Sequence, residues 1–303
     1  MIRSDSGLRL PVLASLLTLA LATPASALPV GTEEELSQAA AQAQSIAPSW
    51  EELDAAAVDF TAIVALSNCS GSLVKFKSSR TSDLAMVLTN GHCTGSFIPA
   101  GDARVNLASS RTFTLLSSNG KSSLGTLRAA KLIYGTMTGT DMALYQLTST
   151  YAQISTRYRV APLLIADSHP VAGTAIRVVS GFWRKIYSCT ISKFVPQLTE
   201  GSWTWQDSIR YSEPGCEVIG GTSGSPIISA GSYEVVGVNN TTNESGARCT
   251  VDNPCEVDSM GNVTFEKGAS YGQQLYQLYT CVNDTNNIDL SIPGCKLQKP
   301  ATP

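Results

Sequence analysis

Three short motifs carry side chains that could act together on a carbonyl group, in the order histidine, aspartate, serine. The first is Val87-Leu88-Thr89-Asn90-Gly91-His92-Cys93, an apolar run that delivers a histidine followed at once by a cysteine. The second is Gly139-Thr140-Asp141-Met142-Ala143-Leu144, an aspartate at the mouth of another apolar run. The third is Gly220-Gly221-Thr222-Ser223-Gly224-Ser225-Pro226, a serine in a glycine-rich turn. A serine hydroxyl is a weak nucleophile until a neighbouring base takes its proton. Imidazole suits that task because its ordinary pKa lies near neutrality. A carboxylate on the second ring nitrogen fixes the tautomer and stabilises the imidazolium that forms. Glycines around the serine allow two backbone N–H groups to converge where a carbonyl oxygen becomes negative. The chemistry implied is acyl transfer by side chains alone, and no G-x-G-x-x-G or G-x-x-x-x-G-K cofactor fingerprint is present.

The elements that must position these residues read as strands. Thr61–Leu66, Ser72–Phe76, Ala85–Thr89, Arg104–Leu107, Ala143–Leu147, Ala175–Val179 and Val235–Val238 are short and rich in β-branched residues. Clusters of Gly, Ser, Asn and Thr punctuate them at turn-like intervals, which predicts an all-β barrel or sandwich. Thr148–Val160 carries no motif and is expected to be the crossover between two β-rich halves, residues 59–155 and 156–303. Near the C-terminus, Tyr271, Leu275, Leu278, Tyr279 and Val282 recur at helical spacing, which predicts a terminal amphipathic helix.

The N-terminus reads as a secretory signal over residues 1–27. Arg3 and Arg9 precede the apolar run Leu10–Ala22, and Ala25-Ser26-Ala27 supplies a small-residue cleavage signature. That run is about 13 residues, against the ~20 that a spanning helix needs. The expectation is a secreted or periplasmic protein with no membrane span. Residues 28–58 follow as an extension or pro-segment, or as a helix packed permanently on the domain. Thr32 and Glu35 form a capping box there, and Pro48 ends the helical composition.

Charge and cysteines narrow the class further. Lys and Arg number 21 against 24 Asp and Glu, a net charge of −3. That balance offers none of the basic footprint that nucleic acid demands. Eight cysteines in an exported chain read as disulfides, and with only two histidines a histidine-based metal site has little to work with. Cys189 and Cys216 flank the strands leading into the serine loop and are expected to pair. Cys249, Cys255, Cys281 and Cys295 are left without a fixed pairing. His169, beside Pro170, reads as an exposed loop residue.

Taken together, the three motifs resemble the trypsin/chymotrypsin superfamily of serine proteases, in its secreted bacterial branch, over roughly Thr61–Cys281. The resemblance implies two six-stranded antiparallel β-barrels, chymotrypsin-like, with the C-terminal α-helix following them. It implies His92 as general base, Asp141 as its orienter and Ser223 as nucleophile. The N–H groups of Gly221 and Ser223 would form the oxyanion hole. A Cys69–Cys93 disulfide would join the strand entry to the histidine turn. The partner is a polypeptide substrate, with neither cofactor nor metal.

Two departures from the family pattern bear on activation and specificity. Thr222 stands where trypsin-type zymogens carry an aspartate, so the ion pair made by a freshly cut N-terminus cannot form. The hole is therefore expected to be preformed or organised by other contacts. Glu217, six residues before Ser223, occupies the position that forms the base of the primary pocket and would suit Lys or Arg. The same residue beside Cys216 could equally face solvent. No histidine follows the nucleophile on the strand Val236–Asn240, which argues against preference for acidic residues. Backbone from Gly237 onward, with Val238, Asn239 and Asn240 as candidate substrate-binding residues, could pair with substrate as an added strand. A non-catalytic binding module, or a narrow toxin-like or esterase activity using the same triad, remains an alternative on the same fold.

Overall fold

The computed structural model describes residues 59–302. The expected signal sequence at 1–27 and the expected extension at 28–58 lie outside the described residues. Two strand rings account for most of the rest. The first is built from β1 (Ile63–Ala65), β2 (Ser70–Lys75), β3 (Leu84–Thr89), β4 (Ala103–Ala108), β5 (Thr112–Leu116), β6 (Ser123–Thr136) and β7 (Met142–Thr150). The order β1-β5-β6-β7-β3-β2 closes on itself through the β1–β2 pair, so six strands form a barrel. Strand β6 is long enough to pair with β5 over its first half and with β4 over its second. Helix α1 (Tyr151–Tyr158) follows, and then the short β8 (Leu163–Leu164), which lies parallel to β2.

The second ring contains β9 (Ala175–Ser180), β10 (Lys185–Glu200), β11 (Trp203–Tyr211), β12 (Pro226–Ser229), β13 (Val235–Thr242), β14 (Cys255–Val257), β15 (Val263–Thr264) and β16 (Ser270–Gln274). Its order β11-β16-β13-β12-β9-β10 closes through the β10–β11 hairpin, with β14 attached to β10 and β15 to β14. Closure removes the exposed edges that an open sheet would present. Among the described residues, no helix is long and apolar enough to cross a membrane.

Each of the seven β-branched runs overlaps a strand, though Thr61–Leu66 is strand only over Ile63–Ala65, and β3 shows why its sequence is apolar on both faces. Ala85 and Val87 pack inside the first barrel. Met86 and Leu88 point the other way, into a core shared with Val179, Ile228, Val235 and Val238 of the second ring. Period-2 alternation thus feeds two cores from one strand, and both faces must be hydrophobic.

Two expectations change. The stretch Thr148–Val160 is not featureless, because Tyr151–Tyr158 is an α-helix. It is opened by a capping box in which Thr150 Oγ1 accepts from Gln153 N and Gln153 Oε1 accepts from Thr150 N. The expected C-terminal amphipathic helix over Tyr271–Val282 does not form. Ser270–Gln274 is instead strand β16, buried at every position between β11 and β13, and Tyr276–Cys281 is a 3₁₀ helix. The reason is closure of the second ring. Gly272 lies against Tyr211 and Ile227 where no side chain fits, a role for glycine in a strand and a cost in a helix. Apolar residues at helical spacing are satisfied there by a strand and a tight turn in succession.

All eight cysteines are paired, as Cys69–Cys93, Cys189–Cys216, Cys249–Cys255 and Cys281–Cys295.

Candidate active site

The three motifs meet at one cleft of about 200 Å³, lined by His92, Asp141 and Ser223 among others. His92 opens a 3₁₀ turn directly after β3, and the next residue, Cys93, is bonded to Cys69 at the entrance of β2. Asp141 immediately precedes β7 and is fully buried. Its carboxylate receives three donors. Gly91 N–H donates to Oδ1 at 2.6 Å and His92 N–H to the same oxygen at 3.2 Å. His92 Nδ1 lies 2.6 Å from Oδ2. Asn90 Nδ2 adds a bond to the Asp141 carbonyl at 2.7 Å. The backbone around the histidine is thus folded onto the aspartate that orients its ring.

A third of the His92 side chain is open to solvent. Removal from water lowers its pKa, and the adjoining Asp141 charge and hydrogen bond raise it. Glu200 and Asp252 add smaller upward contributions, and the net result lies above the ordinary imidazole value of 6.5. Cys69, His92 and Cys93 bring potential ligand atoms within 4.8 Å of one another. Both sulfurs are tied in a disulfide, however, which leaves no thiolate to hold a metal.

Ser223 sits in a loop fastened to both rings. Toward the first ring, Ser70 N–H donates to the Ser223 carbonyl at 2.8 Å, and Ser70 Oγ to the Gly221 carbonyl at 3.1 Å. Thr89 Oγ1 in turn donates to the Ser70 carbonyl at 2.8 Å. Toward the second ring, Gly224 N–H donates to the Asn239 carbonyl, and Asn239 N–H to that of Ser225. Gly224 takes a left-handed φ of 81°, and a Cβ there would collide with the Ser70 carbonyl and the Thr89 hydroxyl. Ser223 Oγ donates to the Asn240 carbonyl at 3.3 Å.

Among the described residues no acceptor takes the N–H of Gly221 or of Ser223. Gly221 has a φ of 90°, which favours glycine. Thr222 between them is 2% exposed and holds a chain of polar contacts. Its hydroxyl donates to the Ile219 carbonyl at 2.6 Å and accepts from Asn239 Nδ2 at 3.1 Å, while Tyr211 donates to Asn239 Oδ1 at 2.9 Å. This uncharged network stands where a zymogen-type aspartate would need an incoming amine.

The remaining sequence-derived residues are placed differently from one another. Asn239 and Asn240 line the cleft. All four polar atoms of Asn239 already have protein partners. Val238 packs in the core between the rings and does not line the cleft. Strand β13 pairs with β16 through Thr242, but with β12 only as far as Val238. Its last residues therefore run along the cleft on one edge. Glu217 is exposed and outside the cleft lining, whereas its neighbour Val218 is buried. His169 lies away from the cleft and contacts Asp207 through Nε2 at 3.0 Å.

Several residues at the site gave no signal in the sequence. Ser70 is fully buried and joins the serine loop to β2. Trp203, Trp205 and Glu200 come from the β10–β11 hairpin, which the sequence reading did not resolve, and line the cleft. Trp205 Nε1 also donates to the Met137 carbonyl at 2.9 Å, and Gly139 bonds to β11 backbone on both sides, so the loop before Asp141 is stitched to the second ring. Glu200 is 7% exposed. It accepts from Thr241 Oγ1 at 2.5 Å and from Asp252 N–H at 3.0 Å, and burial raises its pKa above the usual carboxylate range.

The model of the trypsin-like peptidase domain matches residues 69–238, from the cysteine before β2 into β13. No curated protein matches the chain. Among solved structures, the MamO protease domain from Magnetospirillum magneticum is 14% identical with a TM-score of 0.44, over 72% of this chain and 94% of its own. The Nocardiopsis protease NAPase is 16% identical with a TM-score of 0.38, over 71% and 90%. A glutamic acid-specific serine protease that uses a histidine triad in substrate binding is 16% identical with a TM-score of 0.39, over 71% and 92%. The family match spans more than half of the sequence and contains all three motifs: this chain belongs to the trypsin-like peptidase domain family.

Proposed function

We propose that the protein is a secreted serine endopeptidase that cleaves polypeptides through Ser223, His92 and Asp141, by way of a covalent acyl-enzyme. The observation that carries this reading is the short His92–Asp141 bond beside a serine flanked by two unclaimed backbone donors. With Nδ1–H held by Asp141, the free lone pair of the neutral ring is on Nε2. Attack requires the Ser223 hydroxyl to exchange its long bond to Asn240 for one to Nε2. The Oγ–carbonyl bond then forms as the hydroxyl proton passes to His92, and the oxygen that becomes negative is received by Gly221 and Ser223 N–H. Collapse breaks the C–N bond, the amine leaves with the proton from His92, and water repeats the sequence to release the acid. Side chains and backbone amides suffice for every step. Four disulfides support export to an oxidising compartment.

The pH dependence has a definite sign. Protonated His92 cannot accept the serine proton, so kcat/KM falls as pH drops through its pKa, which lies above 6.5. Initial rates between pH 5 and 9 should show that decline. A rate constant flat from pH 8 to pH 5 would remove His92 as the base.

The cleft supports a preference for substrates with a positively charged side chain near the scissile bond. Besides Asp141 it is lined by Glu200, Glu244 and Asp252, with His92 as its sole basic lining residue. Among the described residues none of these three acids has an ion-pair partner. Trp203 and Val251 supply apolar wall for the aliphatic stem of Lys or Arg. In this reading Glu200 takes the part first considered for Glu217. Profiling on a peptide library should show cleavage beside Lys or Arg. Glu200→Gln should lower kcat/KM for those peptides by about 10–100-fold, the worth of one charged hydrogen bond, and spare neutral ones. Equal losses on both classes would exclude Glu200 as a specificity residue.

A further inference from the structure

An oxyanion hole works only if its donors point inward, and the orientation of Gly221 N–H is not set by Gly221 alone. It belongs to the planar peptide joining Gly220 and Gly221, in which the carbonyl and the N–H point in opposite directions. With glycine on both sides, no Cβ resists rotation of that plane. A half-turn would replace the donor by the Gly220 carbonyl and present a negative dipole to the developing oxyanion. The neighbouring plane, between Gly221 and Thr222, is held through its carbonyl by buried Ser70. Something must hold the first plane as well.

Trp183 does so. Its indole Nε1–H donates to the Gly220 carbonyl at 2.7 Å. The residue lies in the turn between β9 and β10, where its own N–H donates to Ser180 Oγ at 3.2 Å. Its ring meets Phe182 edge to face, with centroids 5.1 Å apart. Phe182 N–H donates to Ser70 Oγ at 3.1 Å, so the turn that carries one carbonyl anchor is bonded to the other. A Cβ on Gly221 would crowd both Phe182 and Trp183. Trp183 is nevertheless 49% exposed, which is far more exposure than core packing would leave a tryptophan.

We propose that Trp183 is a positioning residue that locks the Gly220–Gly221 peptide with its N–H facing the cleft. This rests on the reading of Ser223 as nucleophile and goes beyond it by naming what holds the hole in place of a terminal amine and an aspartate. Thr222 cannot make that ion pair. Its bonds to Ile219 and Asn239 secure the loop before and after the hole, while the plane that carries the first donor is held by Trp183.

The test is Trp183→Phe, which keeps an aromatic ring beside Phe182 and removes the indole N–H together with part of the ring's bulk. Three quantities are measured on wild type and variant: kcat and KM for a fluorogenic peptide that the wild type cleaves, Ki for a peptide aldehyde, and Ki for the cleaved product peptide. The aldehyde forms an oxyanion on Ser223 and the product does not. The expected result is kcat lower by about 10-fold, below the ~10²–10³ of losing a donor outright, with KM unchanged. Aldehyde Ki should rise by the same factor while product Ki and Tm stay at wild-type values. Wild-type kcat and aldehyde Ki in the variant would overturn the proposal. So would equal weakening of aldehyde and product, or a lowered Tm accompanying the loss, since either marks a general structural role. A wild type that neither cleaves peptide nor binds aldehyde removes the nucleophile assignment itself, whereas an active wild type matched by the variant removes only the role of Trp183.

Discussion

Replacing Ser223 by alanine is expected to lower kcat for peptide hydrolysis by about 10⁶-fold, the loss typical of removing the nucleophile from such a triad. The fold should not change. The backbone of residue 223 keeps its bond from Ser70, and the hydroxyl makes one long contact, to the Asn240 carbonyl at 3.3 Å. Gly221 and the amide of residue 223 remain, so the variant should still bind substrate and retain the residual catalysis that positioning and amide donors provide. Thermal unfolding beside steady-state kinetics checks both halves of the statement. A variant that unfolds at the wild-type temperature and keeps more than about a hundredth of wild-type kcat would mean that the hydroxyl is not the attacking group.

Asp141→Asn is the second large effect, expected at about 10⁴-fold in kcat. The carboxylate accepts from two backbone N–H groups through one oxygen and from the imidazole through the other. An amide offers one acceptor and one donor. With its oxygen kept by Gly91 and His92 backbone, it presents N–H to Nδ1 and moves the ring proton to Nε2, where the serine needs a lone pair. The variant also loses the charge and the hydrogen bond that raise the pKa of His92, while the opposing cost of partial burial stays. The sign is therefore fixed. The acid limb of kcat/KM should move to lower pH as its plateau falls. An unchanged limb would show that Asp141 does not set the state of the imidazole.

Fold and site differ in how far they can be read from the chain. Strand runs such as Ala85–Thr89 are legible because a strand that feeds two cores must be apolar at successive positions. The β10–β11 hairpin is not, since Thr, Ser, Gln and Lys alternate along a surface that is half solvated. That omission hid Glu200 and Trp203. Helix α1 carries a readable signal, Thr150 followed by Gln153, in a segment that otherwise holds no motif. At the C-terminus, Tyr271 and Leu275 satisfy helical periodicity by coincidence, and the demand that decides is ring closure, which is nonlocal.

The same division holds inside the cleft. His92, Asp141 and Ser223 carry chemistry in their residue types and lie in local motifs, so the pattern could be recognised without coordinates. Ser70 and Trp183 act through contacts with residues far along the chain, and nothing in their own neighbourhoods announces it. Glu217 and Glu200 make the contrast concrete. One sits at a suggestive offset from the nucleophile and is exposed outside the cleft lining. The other is far away in sequence and lies inside it.

The most direct measurement treats purified protein with a serine-directed fluorophosphonate and locates the adduct by mass spectrometry. One equivalent of label on Ser223, lost in His92→Ala and blocked by prior incubation with a substrate-derived aldehyde, is the predicted result. A folded, fully processed protein that takes no label, or takes it on another serine, would contradict a nucleophile activated by His92.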